Sequence, residues 1–384
     1  MIKNTPDESR DRIDIPVLQP VDRTYVLWEG KRYHFFSGYD YHRLSSHPDV
    51  VKALQTASSR YGISTGGSRI TTGTHPLHLR LEEALAQFFD TESAVVLPSG
   101  YLSNLALLQV VSPHYDPFFI DEYAHPSLMD AILLTRKNPI LYHHCHGKHL
   151  HSLIRKHHSS KAIPLIITEG TNNTGSDLVP LNEYLHITEK RDGQLMVDDA
   201  HAAGVLGKTG KGSWEEAGVP RDRILQTGTL SKAFGIYAGF ITGSEELTQK
   251  IKEESNIFQG SSALPLPLCA AAICSISILS EKPHLITELQ NKSRSIKTKL
   301  RPLGLDIPLS PTPVIALTIS SIKKVRILKN VLLDHEIYPS FIRYPTAPVG
   351  GYFRFALSSA HTDNQLECLY QAIETFLHDY SNPN

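Results

Sequence analysis

Short apolar runs alternate with longer helical patterns between about residues 45 and 280. The runs are rich in β-branched residues and predict strands at 94–97, 118–120, 163–168, 195–197, 224–227 and 239–242. Apolar runs of this length, separated by helix-sized segments, are typical of a mostly parallel sheet that helices cover on both faces. Ligands of such sheets bind beyond the carboxyl ends of the strands, so we expect function in the segments that follow the runs.

The pattern changes on either side of this region. Pro6, Pro16 and Pro20 argue against a long helix near the start, and short strand-like runs follow at 24–28 and 31–36. Residues 266–279 predict a buried helix, 281–301 an amphipathic one, and shorter strands and helices follow at 314–319, 325–333, 352–357 and 365–377. At 384 residues the chain is long for one core. We therefore expect an N-terminal arm at 1–45, a large domain at 46–280 and a smaller α+β lobe at 281–384.

Composition narrows the function classes. Hydrophobic residues make up 41% of the chain and charged residues 20%, and the formal net charge is −1 without a basic block. These values are ordinary for a globular protein and give nucleic-acid binding no electrostatic support. Cys145, Cys269, Cys274 and Cys368 lack CxxC spacing and are interpreted as reduced thiols. With no signal-peptide pattern and no apolar run of membrane-spanning length, the sequence predicts a cytoplasmic protein.

Lys232 is the residue with the most distinctive surroundings. It lies in the segment 229–235 (Thr-Leu-Ser-Lys-Ala-Phe-Gly), between two predicted strands and among small and hydroxyl side chains. A lysine amine becomes a nucleophile toward carbonyls when burial or a neighbouring cation lowers its pKa. A lysine in a loop is more often a solvated charge, so the interpretation depends on partner groups elsewhere in the chain.

Candidate partners follow three other predicted strands. Asp198 and His201 come just after the run 195–197, where a carboxylate and an imidazole could face a ligand. The turn Ser99-Gly100-Tyr101 opens a predicted helix, whose free amides can bind phosphate, and Thr229 could add a hydroxyl. His125 begins another helix and could stack on a ring. Each signal is weak alone, since capping acids, surface histidines and Ser-Gly turns are common.

Together and in this order, these segments resemble the fold-type-I pyridoxal-phosphate (PLP) enzymes and, within them, the α-oxoamine synthase family. The likeness runs from about residue 33 to residue 378. The motifs that carry it lie at 66–74, 78–82, 99–101, 124–127, 168–170, 180–181, 197–201, 229–235, 345–348 and 354–361. The family fold is an α/β fold with a mostly parallel, seven-stranded central sheet and a smaller α+β lobe.

The resemblance implies a role for each candidate residue. Lys232 would carry PLP as a Schiff base and later remove the Cα proton of the substrate. The other catalytic residues would be Asp198 at the pyridine nitrogen, His201 at the phenolic oxygen and His125 stacked on the ring. The further cofactor contacts implied are Ser99, Gly100, Tyr101, Asn173 and Thr229, with Ser261 and Ser262 reaching the site of the other subunit in a homodimer.

The implied reaction joins a small amino acid (alanine, glycine or serine) to an acyl thioester, with loss of CO₂, to give an α-amino ketone. Arg354 would bind the amino-acid carboxylate, because its planar fork suits that group. Tyr39, Arg69 and Thr346 would lie on the substrate side. The acyl carrier would be CoA or a carrier protein, and the resemblance favours the 8-amino-7-oxononanoate synthase type, a step of biotin biosynthesis.

The chain departs from the family pattern near the substrate. Tyr39 stands where the family has an asparagine, Asn173 where it has a serine, and Ile236, Tyr237 and Ala238 replace glycines after the lysine segment. The N-terminal arm is also short. Another PLP reaction, such as amino transfer, racemisation or acyl chemistry without CoA, is therefore the alternative. A non-catalytic partner subunit is a third hypothesis, which the presence of the lysine disfavours.

A histidine-dense stretch at 142–151 invites a metal-site hypothesis. Its spacing fits no standard zinc site, and the family has a turn and a helix start here. We predict a solvated turn and no metal site.

Overall fold

The computed structural model describes residues 15–157, 163–172, 177–189, 191–319, 321–343 and 350–381. The helices are α1 Pro48–Tyr61, α2 Pro76–Phe88, α3 Gly100–Val111, α4 Pro126–Leu134, α5 Gly147–His157, α6 Leu181–Glu189, α7 Ser213–Ala217, α8 Glu245–Glu254, α9 Asn256–Gly260, α10 Leu266–Glu281, α11 His284–Leu300, α12 Ile322–Asp334 and α13 Asp363–Ser381. The strands are β1 Gln19–Pro20, β2 Tyr25–Trp28, β3 Lys31–His34, β4 Ser93–Leu97, β5 Phe118–Asp121, β6 Pro139–Tyr142, β7 Leu165–Glu169, β8 Gln194–Asp198, β9 Ile224–Thr229, β10 Gly239–Gly243, β11 Val314–Thr318, β12 Phe341–Ile342 and β13 Tyr352–Ala356.

Seven strands form the central sheet in the order β4-β10-β9-β8-β7-β5-β6. The pairs among β5 to β9 are parallel, and β10 runs antiparallel to both of its neighbours. The predicted mostly parallel sheet is confirmed, and each of the six predicted strands is present. β6 escapes sequence prediction because it is an edge strand that begins with Pro139 and leaves Leu141 exposed. The proline argues against a strand in the sequence, because it cannot donate to a ladder hydrogen bond and is confined to edges and strand starts.

Helices cover both faces of this sheet. Ile120, Ile167 and Met196 belong to one buried cluster, together with apolar side chains of α3 and α4. The alternate residues Phe119 and Ile166 belong to a second cluster, together with side chains of α5 and α6. Because successive strand residues point to opposite faces, the central strands are apolar on both sides.

Hydrogen bonds join the N-terminal segment to the C-terminal part of the chain. β1, β2 and β3 form a small antiparallel sheet, and β11, β13 and β12 form another. His34 links the two regions, since its amide donates to Glu336 O at 2.7 Å and its carbonyl accepts from the Tyr338 amide at 3.0 Å. Farther on, the Ala356 amide at the end of β13 donates to Phe36 O at 2.9 Å. The residues just after Phe36 are thereby placed beside β13, the strand that carries Arg354.

α10 is apolar around most of its circumference and is largely buried against α1 and α2. In the described part of the chain, no single helix is long and apolar enough to cross a membrane. The segments Leu266–Glu281 and His284–Leu303 pass that test only as a pair bent by 74°, by length and composition alone.

Candidate active site

Neighbouring strands of the central sheet end in polar residues at one edge. β7 ends at Glu169 and β8 at Asp198, and these two residues are direct partners across the parallel pair. Thr227 of β9 is the partner of Asp198 on the other side. Asp198 is 6% exposed and Glu169 5%. The edge where a ligand is expected in such a sheet therefore carries two buried carboxyl groups.

A buried amide fixes the orientation of Asp198. Asn104 of α3 donates from Nδ2 to Asp198 Oδ2 at 2.7 Å and to Ser127 Oγ at 2.9 Å. The Oδ1 atom of Asn104 accepts from Thr227 Oγ1 at 2.6 Å, so the amide cannot flip without losing these bonds. The other oxygen of Asp198 accepts from the Ala200 amide at 2.9 Å. Donors on both oxygens hold this carboxyl group in one orientation.

Lys232 lies in the loop between β9 and β10, with its amine near two acids and one arginine. Burial lowers the pKa of this amine to about 8, although the negative charges of Asp198 and Glu169 oppose the shift. The positive charge of Arg354 lowers the pKa a little further. About a tenth of the amine is therefore unprotonated at pH 7, far more than for an exposed lysine, and this is the form that attacks carbonyls and accepts protons.

Glu169 is a buried acid that sequence analysis leaves without a role. Its Oε2 atom accepts from the backbone amide of His125 at 3.1 Å. Burial and the neighbouring charge of Asp198 raise the pKa of Glu169 to about 8, despite the nearby lysine. At neutral pH this carboxyl group is therefore mostly protonated.

His125 caps α4 and presents its ring beside this cluster. Its Nδ1 atom accepts from the Ser127 amide at 3.2 Å and lies 2.8 Å from the Ser127 hydroxyl. Burial lowers the pKa of the imidazole, and the charge of Lys232 adds to the effect while that of Asp198 opposes it. Tyr101 packs edge-on against the ring at 6.3 Å between centroids, and the Tyr101 hydroxyl donates to Asp130. The neutral ring is suited to stacking on a planar ligand.

The predicted phosphate turn lies against the lysine loop. Ser99 caps α3 by accepting from the Leu102 amide at 3.3 Å, and its backbone is extended. A Cβ atom added to Gly100 would lie 2.9 Å from Cβ of Thr229, so only glycine allows this approach. The Thr229 hydroxyl donates to Ala238 O at 2.8 Å. The structure thus brings a helix N-terminus and the loop of the candidate lysine together, as an anion-binding turn requires.

A chain of hydrogen bonds joins Arg354 to His201 through Tyr41. One guanidinium nitrogen donates to the Tyr41 hydroxyl at 3.2 Å and another to Gly38 O at 2.8 Å. The same hydroxyl lies 2.7 Å from His201 Nδ1. The Tyr41 hydroxyl accepts a hydrogen bond from the arginine and donates its own proton in a hydrogen bond to Nδ1. Since Nδ1 is then an acceptor, the neutral imidazole of His201 carries its proton on Nε2. Burial and the charges of Lys232 and Arg354 hold the pKa of His201 well below its usual value.

Asp199, next to Asp198, has a different environment. It is fully buried and accepts from Ser213 Oγ at 2.6 Å and from Gln226 Nε2 at 2.7 Å. Burial raises its pKa to about 6. The side chain ties the turn after β8 to α7 and β9, so of the two adjacent acids only Asp198 belongs to the cluster.

Arg69, Ser261 and Ser262 lie together in a second group. The backbones of Ser68 and Ser262 form a bridge, and Ser261 Oγ donates to Ile257 O at 2.6 Å. Arg69 pairs with the buried carboxylate of Glu82 at 2.9 Å. These residues therefore form a structured group of their own, apart from the lysine loop.

Tyrosine side chains near the candidate site are exposed. The Tyr39 side chain is 51% exposed and that of Tyr237, beyond the lysine, is 63% exposed. Asn173 and Thr346 lie outside the described residues.

The histidine-dense stretch forms a turn and the start of α5. His144 is mostly buried, which lowers its pKa, but it pairs with Asp121 at 2.9 Å, and the hydrogen bonds to Asp121 and Cys145 raise the pKa to about 10. His143 and His149 stack with ring centroids 4.1 Å apart. Among the described residues, no group of three or more His, Cys, Asp or Glu side chains is arranged to hold a metal. The turn is present, but His144 is paired rather than solvated.

Sequence reasoning assigns no role to Tyr41, Asn104 or Glu169. Glu169 has a usable signal, because it ends an apolar run at the same edge as Asp198. Asn104 is one of two amides, with Gln109, in the mostly apolar helix α3, and nothing in the sequence distinguishes it. Tyr41 has no comparable signal, since its contacts are 160 and 313 residues away in the chain.

Comparisons with known proteins place the chain among enzymes. Residues 36–373 match the family model described as aminotransferase class I and II. The 8-amino-7-oxononanoate synthase 1 of Bacillus velezensis is 33% identical over 340 residues, 88% of this chain and 87% of the relative. The Bacillus subtilis protein of the same name is 31% identical over 372 residues, 97% and 95% of the two chains. The structure of Sphingomonas wittichii serine palmitoyltransferase has a TM-score of 0.87 at 26% identity and covers 94% of this chain and 92% of its own.

Proposed function

The chain belongs to the aminotransferase class I and II family and, within it, to the α-oxoamine synthases, and from that premise we propose its reaction. It is a PLP-dependent acyltransferase that condenses a small amino acid with an acyl thioester, with loss of CO₂, to give an α-amino ketone. Relatives named 8-amino-7-oxononanoate synthase are 31–33% identical over most of the chain and support that type of reaction, and with it a role in biotin biosynthesis. The observation that carries the proposal is that Asp198, His201 and Lys232 follow neighbouring strands of the central sheet, with Arg354 of β13 joined to His201 through the Tyr41 hydroxyl.

The residues at this edge fit PLP. Asp198 is a buried carboxylate held by two donors, which suits a protonated pyridine nitrogen. The close approach of Gly100 to Thr229 at the start of α3 suits a phosphate. Lys232 would hold the cofactor through Nζ, His125 would pack on its ring, and His201 would donate from Nε2 to its phenolic oxygen. When bound, PLP supplies an electron sink for the negative charge that develops at the substrate Cα.

Lys232 would also move the proton. With a pKa of about 8, its amine can accept the α proton of the amino acid near neutral pH and return a proton later in the reaction. Burial lowers the pKa of the amine and the charge of Asp198 opposes that shift, so the resulting value lies in the useful range.

Arg354 would orient the amino acid. The residue is 6% exposed, and its guanidinium group is held by Gly38 O and the Tyr41 hydroxyl, so it is already ordered before a carboxylate arrives. An ordered planar fork loses little freedom when it binds a carboxylate. Through Tyr41, the same arginine is joined to the histidine that would contact the cofactor.

We further propose a cytoplasmic homodimer with shared sites. Ser261 and Ser262 form a structured surface with the glycine-rich segment near 66–74, and they would complete the phosphate site of the opposite subunit. The four cysteines carry free thiols, as expected in a reducing compartment.

Tyr39 favours one alternative. It is a large, half-exposed side chain next to Gly38, whose carbonyl accepts from Arg354. A bulky phenol beside the carboxylate-binding arginine could exclude a CoA-borne acyl chain and leave amino transfer, or acyl chemistry without CoA, on the same scaffold.

Absorbance and thiol release separate these reactions. Purified protein with added PLP should show a visible absorbance band that Lys232→Ala abolishes and the surface control Lys250→Ala retains. Addition of alanine, glycine or serine should shift the band, and an acyl-CoA should then release thiol and CO₂ together. A protein that takes up no PLP would refute the cofactor assignment. Cofactor binding with keto-acid formation but no thiol release from any donor would favour the alternative.

A further inference from the structure

His42 is a buried polar residue that the proposed reaction does not use. Its side chain is 1% exposed. The Nε2 atom lies 2.7 Å from Gly204 O, and Nδ1 lies 3.2 Å from Ser359 Oγ. A carbonyl oxygen can only accept, so Nε2 carries the proton and Nδ1 accepts from the serine hydroxyl. Burial lowers the pKa of this imidazole to about 4, so the arrangement persists at neutral pH.

The first bond fixes the turn that follows β8. This turn begins at Asp199, includes His201 and reaches Gly204, which has a left-handed backbone with φ of +75°. A Cβ atom added to Gly204 would lie 2.7 Å from Cβ of Ala233, the residue after Lys232. The imidazole of His42 therefore bonds to a turn that packs directly behind the lysine segment.

The second bond fixes the small lobe. Ser359 lies just beyond β13, which carries Arg354, and its amide donates to Tyr41 O at 2.9 Å. The Ser359 carbonyl accepts from Lys292 Nζ at 2.6 Å, so this residue is itself held in place. His42 is thus bonded both to the turn that bears His201 and to the lobe that bears Arg354.

We propose that His42 is a positioning residue, which ties these two regions together and so keeps the Tyr41 hydroxyl between Arg354 and His201. The inference rests on the proposed function, because the value of that hydroxyl lies in linking a carboxylate-binding arginine to a cofactor-binding histidine. An apolar side chain of similar size could fill the same space but could make neither bond. A purely structural histidine would contribute to folding stability without affecting how the amino acid is bound.

Three variants of the full-length protein test this role. His42→Leu removes both bonds with little change in volume, His42→Gln keeps an amide donor for Gly204 O, and Ser359→Ala removes only the donor to Nδ1. Gln290→Leu is the matched control, because Gln290 donates at 2.8 Å to the carbonyls of Val205 and Gly207 in the same turn. It removes two buried hydrogen bonds at that turn, neither of which involves the segment 38–43.

With PLP and the best amino-acid substrate, His42→Leu should raise KM and lower kcat/KM by about tenfold, the effect of one or two neutral hydrogen bonds. His42→Gln should recover most of this loss, and Ser359→Ala should cost about two- to threefold. Gln290→Leu should lower the unfolding temperature and leave KM within about twofold. Without cofactor, hydrogen exchange in peptides spanning 36–44 and 353–361 should accelerate in His42→Leu and return toward wild type in His42→Gln.

The proposal is overturned if His42→Leu lowers the unfolding temperature but leaves KM and kcat unchanged. It is also overturned if Gln290→Leu raises KM as much, or if glutamine rescues nothing. Failure of the proposed function looks different, since the wild-type protein would then show neither a cofactor band nor turnover. The exchange measurement still decides in that case, because unchanged exchange of both peptides in His42→Leu contradicts the tie.

Discussion

Glu169 offers a sharp test of the electrostatics at the candidate site. Its ordinary pKa is 4.5 and its pKa in the folded protein is about 8, because the carboxyl group is buried beside Asp198. At a pH between these two pKa values, the Glu169 side chain has lost its proton in the unfolded chain and still holds it in the folded protein. The folded state therefore binds more protons, and stability falls as pH rises through this window.

The magnitude follows from one proton. Each pH unit changes the free energy of unfolding by about 1.4 kcal/mol, so about 2–3 kcal/mol is lost between pH 5.5 and pH 7.5. Glu169→Gln mimics the protonated acid, keeps a carbonyl oxygen for the His125 amide and has no proton to lose. The stability of the variant relative to wild type should therefore increase with pH across this range.

Urea unfolding at pH 5.5, 6.5 and 7.5, at one protein concentration and without cofactor, measures this difference. Glu83→Gln in α2 is the control, because its exposed side chain should give a difference that does not change with pH. A flat difference for Glu169→Gln as well would mean that the buried acid is ionised throughout, and the reasoning about its proton would be wrong.

Three further changes probe other parts of the structure. Tyr41→Phe removes the hydroxyl between Arg354 and His201 and should lower kcat/KM for the amino acid by about tenfold, with PLP uptake retained. An unchanged kcat/KM in steady-state kinetics would contradict a role for this hydrogen-bonded link. Gly100→Ala should weaken PLP binding at least tenfold in an absorbance titration, because the new methyl group would lie 2.9 Å from Thr229 Cβ; an unchanged affinity would place the phosphate elsewhere. Lys297 is fully buried, and its Nζ atom lies within 3.2 Å of four oxygens. Burial lowers its pKa to about 7, so between pH 7 and pH 10 the unfolded chain holds a proton that the folded protein has released. The free energy of unfolding of wild type should therefore increase relative to that of Lys297→Met as pH rises from about 7 to 10. Chemical denaturation at both pH values measures the difference in unfolding free energy between the two proteins. A difference that does not change with pH would show that this lysine is charged in the folded protein.

The central sheet is predictable from the sequence because strands such as β7 and β8 are buried on both faces and appear as continuous apolar runs. The carboxyl edge follows from the same runs, which is why Asp198 and Lys232 can be selected from the sequence alone. β6 is missed although Ile140, Leu141 and Tyr142 are apolar, because the run begins with Pro139, which disfavours a strand. The proposed domain boundaries at 45 and 280 stay predictions.

Long-range polar contacts are the part that sequence reasoning could not supply. Asn104 appears in the sequence as one of two amides in a mostly apolar helix, yet it bonds to groups on two strands and on α4. Arg69 has the character of a substrate-binding cation in sequence, and in the structure its charge is paired with Glu82. Such pairings depend on which distant residues the fold brings together, and local patterns contain no information about that.

The bond between Arg354 and Tyr41 also has a consequence for biosynthesis. The two residues are 313 positions apart, so the Tyr41 segment emerges from the ribosome long before its partner exists. At about 5–20 residues per second, the interval is roughly 15–60 s. Throughout that time Phe36, Tyr41 and Leu44, which are buried in the finished protein, have no small lobe to cover them. Closure of such a long loop is slow, so the candidate active site is expected to be among the last parts of the nascent chain to form.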